Sequence, residues 1–222
     1  MSIRENIAHI EQQLQSKARL VAVTKTKPVE VLQQAYEAGF RRFGENKVQE
    51  MVEKYEALPK DIEWHLIGHL QTNKVKYIAP FVALIHSVDS LKLLAEINKQ
   101  AGKNNRVIDC LLQIHIAEEE TKFGLSEPEA RALLESEELI QMHHIRIVGL
   151  MGMATNTDDQ AQVRKEFRVL RTFFDSLKSL PNERIQLREL SMGMSGDYLL
   201  AVEEGSTLVR VGSAIFGARL YA

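Results

Sequence analysis

The chain has 222 residues, 45% hydrophobic and 26% charged, with a formal net charge of −2. That length holds one sizeable core, and the composition excludes a disordered or fibrous protein. The balanced charge excludes a general electrostatic basis for binding nucleic acid or an anionic membrane.

Ser2 with Glu5 forms a capping-box pattern, and Ile3, Ile7, Ile10 and Leu14 follow at helical spacing, so the chain opens with an amphipathic helix. This opening has no long apolar core and no small-residue cleavage pattern, and no apolar stretch is long enough to span a bilayer; a cytoplasmic protein is expected. Leu20 to Thr24 predicts a strand, Pro28 to Ala38 a helix stopped by Gly39, Arg41 to Gly44 a short strand and Glu45 to Ala57 a helix. Ile62 to Ile67 predicts a strand, Thr72 to Ile78 a short helix, Val82 to His86 a strand and Ser90 to Ala101 a helix. Val107 to Ile116 reads as a long strand. It contains Cys110, the only cysteine, which reads as an inert thiol; no intrachain disulfide is possible, and a reducing compartment fits. Glu127 to Ser136 predicts a helix, Ile145 to Leu150 a strand and Asp158 to Leu177 a long helix. After the loop-like stretch Ser179 to Arg184 come a weak strand (Glu189 to Ser191), a helix (Tyr198 to Glu203) and a last strand (Leu208 to Val211). Ser213 to Phe216 reads as a short final helix.

Eight strands alternate with helices, several of them continuously apolar, which predicts parallel pairing covered on both faces. Eight such units close into a (β/α)8 barrel, an α/β fold. The competing open, doubly wound sheet would carry a Gly-rich turn after its first strand. Here that turn is Thr24-Lys25-Thr26-Lys27-Pro28, without glycine. The expected organisation is one domain over residues 1–222, with the first helix packed outside.

Functional groups of such barrels gather where strands end. Val21, Val23 and Lys25 share one face of the first strand, so Lys25 reaches over the mouth if the valines point inward; Lys27 abuts Pro28 and is expected at the rim. An ammonium at the end of an apolar strand is either a solvated cation or an amine whose pKa is lowered for attack on a carbonyl. After the last two strands, Ser195-Gly196 and Gly212-Ser213 place small residues ahead of helices, the pattern of a phosphate cradle rather than of ordinary turn glycines. A lysine facing a bound phosphate fits a phosphorylated aldehyde, of which pyridoxal 5'-phosphate (PLP) is the best-known case. Arg210, in an apolar strand, needs a partner: a pyridine nitrogen it would keep unprotonated, or a carboxylate such as Glu189. Gly193-Met194-Ser195-Gly196 misses the nucleophile-elbow pattern by one residue. Of seven histidines, His65, His86 and His115 lie near strand ends, but no His-x-His pair occurs and no metal is expected. Each histidine reads as a half-buried polar residue, with His69 retained as a site candidate because it lies in a polar strand-end loop.

The segments LVAVTKTKP (Leu20 to Pro28), FGENKVQE (Phe43 to Glu50), WHLIGHLQTNK (Trp64 to Lys74), GLMGMA (Gly149 to Ala154), LSMGMS (Leu190 to Ser195) and VRVGSAIFGAR (Val209 to Arg219) together resemble the YggS/PROSC family of PLP-binding homeostasis proteins. The resemblance implies the barrel of alanine racemase, a Schiff base between PLP and Lys25, and a role in vitamin B6 homeostasis without robust catalysis. It also implies phosphate binding by Ser195, Gly212 and Ser213, Arg210 at the pyridine nitrogen, and Asn46, His69 and Met151 lining the pocket. Thr24 stands where the family usually has serine, and Gly196 where an acidic residue is common. The segment between the first helix and Leu20 is short. The alternative is a PLP-dependent racemase, which in this fold draws a second base from an appended β domain; a chain ending at Ala222 leaves no room for one, so a carrier is expected. PLP, PLP-dependent apo-enzymes as recipients, and a monomeric state complete the expectations.

Overall fold

A computed structural model describes residues 1–119, 123–180 and 183–217. Part of the loop-like stretch (181–182) and the end of the last family motif (218–219) lie outside the described residues. Helix α1 (Ile3–Leu14) begins with the expected capping box, in which Ser2 and Glu5 each accept from the other's amide. It buries Ile7, Ile10 and Leu14.

Strands β1 (Arg19–Val23), β2 (Arg42–Glu45), β3 (Glu63–Leu66), β4 (Leu84–Val88), β5 (Ile108–Gln113), β6 (Ile145–Met151), β7 (Ile185–Ser191) and β8 (Leu208–Val211) form a closed barrel in chain order. Every neighbour pairs in parallel, and β8 pairs with β1 through Leu20↔Val209 and Val21↔Arg210. Parallel closure needs a crossover between successive strands. The crossovers are α2 (Val29–Glu37), α3 (Val48–Ala57), a 3-10 turn with α4 (Val75–Ile78), α5 (Leu91–Lys103), α6 (Glu127–Leu134) with α7 (Glu137–Ile140), α8 (Gln160–Ser176) and α9 (Tyr198–Glu203). A short α10 (Ser213–Phe216) follows β8 and contacts α1, where the Asn6 amide donates to the Ile215 carbonyl at 2.8 Å.

Strand alternation sorts the side chains into two cores. Leu20 and Ala22 face the helical ring with Phe43, Trp64, Ile85, Phe167 and Leu170. Val21 faces inward and packs with Leu84, Leu111, Val148, Met151 and Leu208, a plug that fills the barrel below its mouth. Val148 and Met151 both reach this plug although they are of opposite parity, because the register of β6 shifts between Ile147 and Gly149. A Cβ at Gly149 would stand 1.7 Å from the Glu189 carbonyl oxygen on β7. Gly149→Ala is therefore expected to destabilise the fold by about 3 kcal/mol or more, read as a lowered urea midpoint.

Candidate cofactor-binding site

β1 ends at Val23, and the chain turns through Thr24, Lys25 and Thr26 before α2. Lys25 thus continues the parity of Val21 and Val23, above the apolar plug that holds Val21. A cleft of about 340 Å³ opens there at the barrel mouth, a size suited to a small cofactor. Of the expected site residues, Lys25, Asn46, Ser195, Arg210, Gly212 and Ser213 all line it.

His69 and Met151 do not. Met151 is the last residue of β6 and is buried in the plug; Met153, two residues on, continues its parity into the cleft. On β3 the same shift operates: His65 lies inside the barrel and Ile67 lines the cleft, but the chain has left the strand by His69. β3 ends at Leu66, and Gly68 then packs on the Asn46 backbone, where a Cβ would fall 2.3 Å from the carbonyl oxygen. His69 instead stacks on Phe123, with ring centroids 4.7 Å apart, and faces Asp89 at 3.5 Å. Lys27, expected at the rim, lines the cleft, and its Nζ donates to the Phe216 (3.1 Å) and Gly217 (3.4 Å) carbonyls. It ties the first strand-end loop to the last.

The loops after β7 and β8 meet beside the lysine loop, where the Gly212 amide donates to Ser195 Oγ at 3.2 Å. Among the described residues the amides of Ser195, Gly196, Ser213 and Ala214 meet no acceptor. Four amides and two hydroxyls gathered with bare backbone at Gly196 and Gly212 make a concave donor surface suited to an anion. Asn46 Oδ1, also at the cleft, is buried without a hydrogen-bond partner. Both features fit a phosphorylated, polar-substituted ring.

Arg210 forms part of the floor. It is buried and donates to Ser191 Oγ (2.6 Å) and the Gly152 carbonyl (3.1 Å). The alternative partner Glu189 is not used: it pairs with Arg19 and accepts from Thr207 at 2.8 Å, leaving Arg210 without an ion pair among the described residues. Burial pushes the guanidinium down to about 10, so it remains a cation at neutral pH with donors to spare.

Behind Arg210 runs a polar chain that sequence reasoning missed. Ser191 Oγ lies 2.9 Å from His86 Nδ1, and His86 Nε2 lies 3.0 Å from His65 Nδ1. Both histidines are buried in the barrel rather than half-buried at its strand ends. Arg210 can only donate, so Ser191 accepts from it and passes its own hydrogen to His86 Nδ1. His86 then carries its hydrogen on Nε2 and donates to His65. Burial, assisted by the nearby cations Arg42 and Arg19, pushes His65 down to about 3; burial, His65 and Arg210 hold His86 well below its usual value. Both rings are neutral at physiological pH. The signal in the sequence is a histidine on the inward parity of each of two apolar strands.

Beneath the lysine loop lies a second missed cluster. Lys54, buried on α3, donates to Glu45 (2.6 Å), Glu50 (2.7 Å) and the Thr24 carbonyl (2.7 Å). Burial raises Glu45 to about 6 against the opposing pull of Lys54. His115 bonds the Glu119 carbonyl, and no group of metal-ligating residues occurs among the described residues. Cys110 is buried in β5, with its thiol pushed up by burial, an unreactive state. Among the described residues no helix is long and apolar enough to cross a membrane.

The closed parallel barrel, with a lysine and open backbone amides at its mouth, belongs to a class: the family model for the N-terminal domain of alanine racemase matches residues 1–220. Within that class the chain is 44% identical to the pyridoxal phosphate homeostasis protein of Aquifex aeolicus (92% of this chain, 88% of that one) and 39% identical to that of Pasteurella multocida over the whole of both. It belongs to the pyridoxal phosphate homeostasis protein family. PipY of Synechococcus elongatus PCC7942, solved without and with PLP, superposes with TM-scores of 0.91 and 0.88 at 38% identity, covering 97% of this chain and all of that one. Alanine racemase of Bartonella henselae shares the fold alone, at 16% identity and a TM-score of 0.72 over 98% of this chain and 60% of that one.

Proposed function

We propose that the chain binds PLP as a Schiff base on Lys25 and serves intracellular PLP homeostasis as a carrier or regulator, without robust catalysis. The observation that carries this reading is one cleft holding a lysine amine, open backbone amides and a buried guanidinium without an ion pair among the described residues. The relatives' shared name and the PLP-bound PipY structure support it. When bound, PLP supplies an aldehyde to amines and an electron sink whose strength depends on protonation of its ring nitrogen.

In this reading Lys25 supplies the amine, and Ser195, Gly212 and Ser213 grip the phosphate. Asn46 Oδ1 accepts a hydrogen bond it otherwise lacks. Arg210, a permanent donor, keeps the ring nitrogen unprotonated, which weakens carbanion chemistry. The cleft lining contains no Asp, Glu, His or Tyr among the described residues, and Lys27 is engaged with two carbonyls. Two-sided proton transfer, as a racemase needs, lacks a second base there. Residues 1–222 act as one cofactor-binding domain in a cytoplasmic monomer, and PLP-dependent apo-enzymes are the recipients.

The test adds apo-enzyme to PLP-loaded protein and follows its reactivation, with racemisation of an amino-acid panel assayed in parallel. Transfer faster than from an equal concentration of free PLP, with racemisation no greater than that of free PLP, is expected. Racemisation abolished by Lys25→Ala would replace the carrier with an enzyme. Replacing Ser195 with Asp should weaken PLP binding at least tenfold by setting like charges together, while binding of unphosphorylated pyridoxal changes little; equilibrium dialysis of both ligands checks it.

A further inference from the structure

Two lysines face one cleft, and the reading above gives the Schiff base to Lys25. Lys27, two residues away and also on the lining, donates to the Phe216 and Gly217 carbonyls, and the course of the peptide that carries both lysines separates them further. That peptide is fastened on each side of Lys25 to the same cluster of charged side chains. Before it, the Thr24 hydroxyl donates to Glu45 and the Thr24 carbonyl accepts from Lys54 at 2.7 Å. After it, the Thr26 amide donates to Glu50, which also holds Lys54 at 2.7 Å.

Thr26 has φ +65°, a left-handed conformation that a β-branched residue adopts only when its surroundings impose it. The Glu50 carboxylate on its N–H is the group positioned to impose it. Lys54 and Glu45 are an ion pair taken almost wholly out of water, a costly arrangement that apolar residues of similar size often replace without loss of stability. Neither lines the cleft. The pair's reach to Thr24 and, through Glu50, to Thr26 gives it a purpose that burial alone does not.

We propose that Glu45, Glu50 and Lys54 form a clamp of positioning residues that fixes the Thr24–Thr26 peptide so that Lys25, and not Lys27, is presented to the PLP aldehyde. The proposal rests on the PLP reading of the cleft. The Schiff base forms between the lysine amine and the aldehyde with loss of one water; the clamp takes no part in that exchange and decides only which amine enters it.

The test loads parent, Lys54→Met, Lys54→Arg and Glu50→Gln proteins with PLP, reduces with borohydride, digests, and quantifies label at Lys25 and Lys27 by mass spectrometry. The growth of the visible band gives the rate of loading, and circular dichroism verifies folding. Parent protein should be labelled at Lys25. Lys54→Met and Glu50→Gln should load at least tenfold more slowly and carry a measurable share of label on Lys27, and Lys54→Arg should restore the Lys25 preference. Should Lys54→Met not fold, Glu50→Gln decides alone, since Glu50 is partly exposed and its loss leaves the Lys54–Glu45 pair in place. Folded variants that label Lys25 alone at the parent's rate would overturn the clamp while leaving the PLP reading intact. Parent protein labelled at neither lysine would overturn both.

Discussion

Lys25→Ala protein mixed with PLP is expected to stay colourless in the visible region and still retain the cofactor, with affinity at least a hundredfold weaker than the parent. The proposed Schiff base cannot form, but the open amides of the last two loops and the Arg210 guanidinium are untouched. A hundredfold loss corresponds to about 2.7 kcal/mol, the scale of one strong interaction out of several. Equilibrium dialysis beside an absorbance spectrum separates the two contributions. Complete loss of binding would mean that the open amides of the last two loops contribute nothing. A surviving visible band would move the Schiff base to another lysine, with Lys27 the nearest on the lining.

The second large effect is acid lability. His65 and His86 are neutral in the folded barrel because charging either would place a cation in an unsolvated interior already containing Arg210. In the unfolded chain each takes up a proton near its ordinary value of about 6.5. The folded values are depressed, so the stability these two residues confer is full above about pH 6.5 and is lost as pH falls below it. A depressed value costs about 1.4 kcal/mol per pH unit until it is reached, so near pH 4.5 His65, with its folded value at about 3, should remove about 3 kcal/mol, and His86 adds a loss of the same sign. Urea denaturation at pH 7.5, 5.5 and 4.5 should show a steep fall, and imidazole nitrogen shifts at pH 7 should report hydrogen on Nε2 of both rings. Stability unchanged from pH 7.5 to 4.5, or a charged ring at pH 6, would show that the chain behind Arg210 is wrongly drawn.

The barrel was legible because its signals are local and periodic. The Ser2–Glu5 capping box, the β-branched run before Lys25 and the Ser213–Phe216 turn each stand where the sequence puts them. β7 begins at Ile185, four residues before the predicted Glu189, because Gln186, Arg188 and their neighbours alternate with apolar residues on a half-exposed strand and blur the apolar run. Helix α7 was missed: its four residues start from a Ser136 cap that reads equally well as the end of α6. Parity carried Lys25 to the cleft, and the cost of a guanidinium in an apolar strand marked Arg210; Met151, expected at the pocket from the family resemblance alone, lies one layer below it. His69 needed knowledge of where the chain leaves β3, a tertiary contact at Gly68 with no signature of its own. The Glu45–Glu50–Lys54 cluster was partly visible, since Glu50 and Lys54 are four apart on α3. That Lys54 turns inward under the first loop is decided by its tertiary bonds to Glu45 at the end of β2 and to the Thr24 carbonyl beyond β1 rather than by any pattern within α3.

The central claim is tested most directly by reducing PLP-loaded protein with borohydride and mapping the modified peptide. The cofactor's mass should appear on Lys25, within the peptide that begins after Arg19, and the visible band should disappear on reduction. Protein that remains unmodified after incubation with excess PLP and reductant, or that carries the cofactor only on lysines outside the barrel mouth, would contradict the account.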